Sequence, residues 1–112
     1  MADEVGDAVP EGAAVFPLIP PELGVNPLLL AVLHAIVFLD GSAKEIVEPS
    51  AAEEARGHMA EYLQRLCGSQ MQQVLEDMKC LAGYARHAKW PKQQQLFIKE
   101  FLQDYGIGED TA

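Results

Sequence analysis

Apolar residues recur along this chain at helical spacing, in runs separated by clusters of turn-forming residues. The most apolar run, residues 28–39, contains one polar group, His34. Asn26 ahead of it is a good N-cap, Pro27 suits the first helical position, and Asp40-Gly41 ends the run. A helix with no polar face needs cover on every side, so the pattern places this first helix at the centre of the fold.

Downstream, Ser42 and Glu45 carry a capping-box pattern that predicts one short helical turn ended before Pro49. Ser50 with Glu53 repeats the box and opens a second helix, with Ala55, Met59, Tyr62, Leu63 and Leu66 on one face and Gly68 closing it. Ser69 with Gln72 caps a third, whose stripe runs through Met71, Val74, Met78, Leu81 and Ala85. A fourth starts at Pro91, buries Phe97, Ile98, Phe101, Leu102 and Tyr105, and stops at Gly106. No period-two alternation competes with this reading. The class is all-α, a compact bundle of four main helices in a single domain over residues 15–107.

Two finer expectations concern the second and third helices. The tight link at Gly68-Ser69 predicts an antiparallel hairpin between them. Gly57 and Gly83 each cost about 1 kcal/mol inside a helix. They would face one another across that hairpin, which predicts close approach of the two backbones.

Ahead of the first helix, residues 15–21 read Val-Phe-Pro-Leu-Ile-Pro-Pro. The prolines prevent a helix and the apolar side chains resist exposure, so an extended arm lying over the domain is expected. Residues 1–14 hold small residues and acids without periodicity and read as a disordered acidic tail; residues 108–112 form a polar C-terminal tail.

Charge narrows the function classes. Seventeen acids against eight bases give −9 over 112 residues. Asp3, Glu4, Asp7, Glu11 and Glu22 place five of those charges before the first helix. Nucleic-acid binding through bulk charge is excluded, because the phosphate backbone would be repelled. Full-length disorder is excluded by the 49% apolar content. The N-terminus lacks the basic region of a secretory signal, and the twelve apolar positions of residues 28–39 fall short of the about 20 a bilayer requires. A cytoplasmic protein with no membrane partner is the expectation. Cys67 and Cys80, thirteen apart, fit no metal-binding spacing and read as reduced thiols.

Candidate chemistry is sparse. His34 is either a ligand or base inside the bundle, or a neutral core histidine hydrogen-bonded to a carbonyl or side chain; the second is the expectation. Glu54, His58 and Glu61 share a helical face at i, i+4, i+7, yet they flank the apolar stripe and read as a solvated charged face, not a metal site. Ser42, Ser50 and Ser69 are taken up as caps, and no nucleophile elbow or phosphate-binding glycine loop occurs. Arg86, His87, Lys89 and Lys92, with Trp90 among them, form the one basic cluster. It can hold an anion, an acidic partner peptide or the acidic tail, or it can simply compensate the dipole of the third helix while Trp90 staples the fourth. These features lead to a non-enzymatic interaction or assembly module without a cofactor, whose partner is another protein or a second copy in a homodimer. The alternatives are a regulator that neutralises a basic partner, of immunity or antitoxin type, and a small-ligand or metal binder using His34.

Overall fold

The architecture, seen in a computed structural model that describes residues 10–107, is all-helical, with no strand among the described residues. Four helices follow one another: α1 Pro27–Gly41, α2 Pro49–Leu63, α3 Gly68–His87 and α4 Lys92–Asp104. A short 3-10 turn, Pro21–Leu23, precedes α1. Of the tails expected at residues 1–14 and 108–112, residues 1–9 and 108–112 lie outside the described residues.

The caps show which local competitions were won. Asn26 accepts from the Leu28 amide at 2.8 Å with Pro27 at the first helical position, as its sequence indicates. At α2 the cap is Glu48, not Ser50. Its carboxylate accepts from the Ser50 and Ala51 amides at 3.3 and 2.8 Å, and the Ser50 hydroxyl donates to it as well. With Pro49 fixing the first helical φ, the helix starts two residues earlier than a Ser50 cap would give, and the stronger acceptor takes the amides. Ser69 likewise lies inside α3, whose N-cap is Cys67, with no side-chain bond to the exposed amides. Residues 43–47 form the short turn that was expected, closed by the Ile46 and Val47 amides on the Ala43 carbonyl.

The helices pack as two pairs, α1 on α2 and α3 on α4. The expected α2–α3 hairpin is therefore replaced by a joint. Four residues, 64–67, separate the two helices, which leaves them free to diverge. Close backbone approach at the glycines is also overturned. A methyl group built at Gly57 meets nothing within 4 Å, and one at Gly83 meets only the Arg86 guanidinium at 3.9 Å.

Leu33 and Ile36 of α1, Leu81 and Ala85 of α3, Phe101 of α4 and Phe16 of the arm form the fully enclosed centre. The arm contributes one main anchor. Phe16 sets its ring edge-on against His34, Trp90 and Phe97 at centroid distances of 5.1, 5.4 and 6.2 Å. Leu18, by contrast, is 89% exposed and Val15 also faces solvent; the two are three residues apart, one turn of the polyproline II geometry that this proline-rich segment favours. Residues 12–14, read as tail from composition, are tied down: the Gly12 carbonyl accepts from Ala43 and the Ala14 amide donates to Ser42.

Asp77 joins the pairs. It is 5% exposed, and its carboxylate accepts from the Asn26 amide at 3.0 Å and the Gln73 side chain at 2.8 Å. The start of α1 is thereby fastened to the middle of α3.

Candidate functional site

The basic cluster is divided by the fold. Lys89 ends α3 with φ 59°, and the bonds Lys89 N–H to Arg86 C=O and Trp90 N–H to Ala85 C=O complete a Schellman cap. Trp90 is half-buried, edge-on to Phe16 and to Tyr84 at 5.4 and 5.9 Å, so its ring is a structural staple. Its carbonyl accepts from the Gln95 side-chain Nε2 at 2.7 Å, which braces the α3–α4 corner. His87 and Lys89 are exposed. Arg86 and Lys92 are brought together and gain a third cation, Lys99, around a hollow of about 410 Å³ floored by Ala82 and Leu96. A second hollow of about 370 Å³ shares Ala82 and Lys99 with the first and adds Lys79 and one carboxylate, Glu76, on its rim and Leu75 and Met78 in its floor. The two form one furrow between α3 and α4. Lys79 and Lys99 escape a sequence reading because only the packing of α4 on α3 brings them to the same rim; their i+7 spacing from Arg86 and Lys92 is the signal that was present.

The remaining polar candidates are simpler. His34 is half-buried, with its ring against Phe16 and no hydrogen bond to either nitrogen among the described residues. The expected bonding partner is missing because the ring edge reaches solvent and has no need of one. Glu54 and His58 approach to 3.8 Å on the exposed face of α2, and Glu61 pairs instead with Arg65 at 3.8 Å. Among the described residues, no group of three His, Cys, Asp or Glu can hold a metal ion. Both cysteines are free.

Arg56 was not anticipated. Its guanidinium lies 3.7 Å from the Asp40 carboxylate, and its Nε is buried without a partner among the described residues. It borders a hollow of about 400 Å³ with Asp40, Glu53, Asp104 and Tyr105. Burial pushes the Tyr105 phenol above its ordinary value, and the neighbouring Arg56 guanidinium works against that rise.

An apolar surface on α1 also lies open among the described residues. α1 buries Leu29, Leu33 and Ile36 on one face. Its opposite face is bare: Leu28 is 76% exposed, Phe38 is 40% exposed, and Ala31 and Ala35 lie between them. A helix apolar all round was expected to be surrounded. Instead, the two helix pairs leave its outer face without a cover, and Phe16 of the arm packs on the His34 side. At one end the bare face runs into a groove of about 460 Å³, where Leu28 and Val32 meet Leu63, Leu66 and Val74 beneath the uncharged rim of Asn26, Ser69, Gln70 and Gln73.

Among the described residues no helix is long and apolar enough to cross a membrane. No protein-family model, curated protein or solved structure matches the chain. Its class is thus an all-helical, two-pair domain with one uncharged apolar face and one basic furrow.

Proposed function

We propose that this chain is a non-enzymatic interaction and assembly module that pairs with a second copy of itself through the bare face of α1. The carrying observation is that Leu28, Ala31, Ala35 and Phe38 share one solvent-facing side of a helix with no charged residue from Pro27 to Leu39. Contiguous apolar surface of this kind marks interaction sites on folded proteins. Charge selects the partner. Two copies at −9 each repel one another everywhere except across an uncharged face, and the groove beside α1 is rimmed by amides and a hydroxyl. A twofold axis across α1 would set Leu28 of each copy toward the groove of the other and bury both stripes.

Area sets the strength. A fifteen-residue helix is about 22 Å long, and its exposed strip alone offers on the order of 200 Å². Even with the groove this stays below the about 800 Å² per partner of a tight interface, so a dimer in the micromolar range is the expectation. Light scattering from low to high micromolar concentration should show the mass rise from 12.2 kDa toward twice that value. Leu28→Glu combined with Phe38→Glu should hold the protein monomeric with its circular dichroism unchanged. A mass that stays near 12.2 kDa at the highest concentration removes the reading.

The outward side of α2, with Glu53, Glu54 and Glu61 all exposed, favours the second reading, neutralisation of a basic partner. That reading requires association with a basic protein that weakens steeply with salt.

A further inference from the structure

We infer that the furrow between α3 and α4 is a docking site for a short acidic segment of a partner protein that carries apolar residues among its carboxylates. Five of the chain's eight Lys and Arg residues, Lys79, Arg86, Lys89, Lys92 and Lys99, lie on this pair of helices or at the corner joining them. None forms an ion pair with a carboxylate of the described residues, whereas Arg56 and Arg65 elsewhere both do. Dipole compensation accounts for Arg86, His87 and Lys89 at the end of α3. It does not account for Lys79 in the middle of α3, nor for Lys99 in the middle of α4.

The floor specifies the rest of the ligand. Leu96 is 49% exposed, and with Leu75, Met78, Ala82 and Leu102 it lines an apolar bed beneath a rim on which four cations, Lys79, Arg86, Lys92 and Lys99, outnumber one carboxylate, Glu76. From Gln72 to Arg86 the furrow follows fourteen residues of α3, about 21 Å. That length matches about six extended residues or four turns of helix. Carboxylates of such a segment reach the lysines while its apolar side chains enter the bed.

The overall charge excludes larger polyanions. An RNA or an anionic bilayer extends well beyond the furrow and meets the −9 of the whole molecule. A short peptide meets only the local field, since charges farther than about 8–10 Å are screened at physiological salt. The furrow lies on α3 and α4, so this inference is independent of self-association through α1.

The test is fluorescence anisotropy with a labelled peptide of about nine residues, glutamates interrupted by a leucine at every third position. The intact chain should bind it with a Kd of roughly 10–100 μM at low salt and several-fold more weakly at about 0.5 M salt. Lys92→Glu with Lys99→Glu should weaken binding by about tenfold or more, and Leu96→Ser by a smaller factor, with circular dichroism unchanged. Leu28→Glu should leave the affinity where it was. Absence of binding at about 1 mM chain, or equal binding by the charge-reversed variant, overturns the proposal. So does equal binding of a single-stranded RNA of matched charge. A tenfold gain on removing residues 1–9 would show that the furrow serves the chain's own acidic end, which also overturns docking of a partner.

Discussion

At the scale of single residues, the energetics turn on positions where one side chain is asked to do something its type does poorly. Lys89 sits at φ 59° to complete the α3 cap. A left-handed conformation costs a residue with a Cβ about 1–2 kcal/mol, and glycine avoids most of that. Lys89→Gly should therefore raise stability by about 1 kcal/mol, or several degrees in melting temperature, by calorimetry. A lower melting temperature would show that the lysine makes a compensating contact. Asp77 has the opposite character. Its buried carboxylate is held by two hydrogen bonds, from the Asn26 amide and the Gln73 side chain. Asp77→Ala leaves the Asn26 amide without that acceptor and should cost about 2–3 kcal/mol in urea unfolding. A loss under 0.5 kcal/mol, the ordinary range of surface substitutions, would refute the tie between α1 and α3.

At the scale of elements, α2 is the least anchored helix, since Ala52 is its one fully buried residue. Its start depends on Glu48. The Ser50 hydroxyl first, and then the Ala51 and Ser50 amides, hold that carboxyl below its usual value. A folded-state value below the unfolded one means the cap's contribution is present at neutral pH and is lost as pH falls from the ordinary carboxylate range through the lowered value. Acidification from pH 7 to about pH 3 should thus destabilise the native protein more than Glu48→Gln, whose cap does not titrate. Parallel pH profiles for the two would refute it. The same helix shows what sequence can and cannot reveal. Its existence and period were legible in Ala55, Met59 and Leu63, but Glu48 and Ser50 are both competent caps two residues apart, and only the Pro49 backbone decides between them. α1 presents the converse case. With apolar residues on every side, nothing local distinguishes Leu33, which is fully buried, from Leu28, which is not. Arg86 and Lys92 could be read from the chain as one corner. Lys79 and Lys99 could be assigned to it only once α4 was laid on α3.

At the scale of the molecule, the two helix pairs depend on the arm as much as on one another. Phe16, 1% exposed, touches α1 through His34, the α3–α4 corner through Trp90, and α4 through Phe97. Phe16→Ala should cost about 3–5 kcal/mol, a large share of what a domain of this size possesses. Leu18→Ala, on the outward side of the same arm, should change stability by less than about 0.5 kcal/mol. Comparable losses for the two in thermal melts would mean that the arm acts by general cover and not through one anchor. The surfaces are equally divided: an uncharged face on α1, carboxylates on α2 and cations along α3 and α4. Partners that prefer different chemistry can therefore address this small domain from different sides.

The Phe16–Trp90 contact also makes the protein its own optical probe. Trp90 is the only indole in the chain, so near-ultraviolet excitation above the tyrosine band reports from the junction of arm and corner alone. Loosening of the arm should shift that emission to longer wavelength before helicity falls. A stopped-flow trace could then time the docking of residues 10–21 separately from the closure of the helices they hold together.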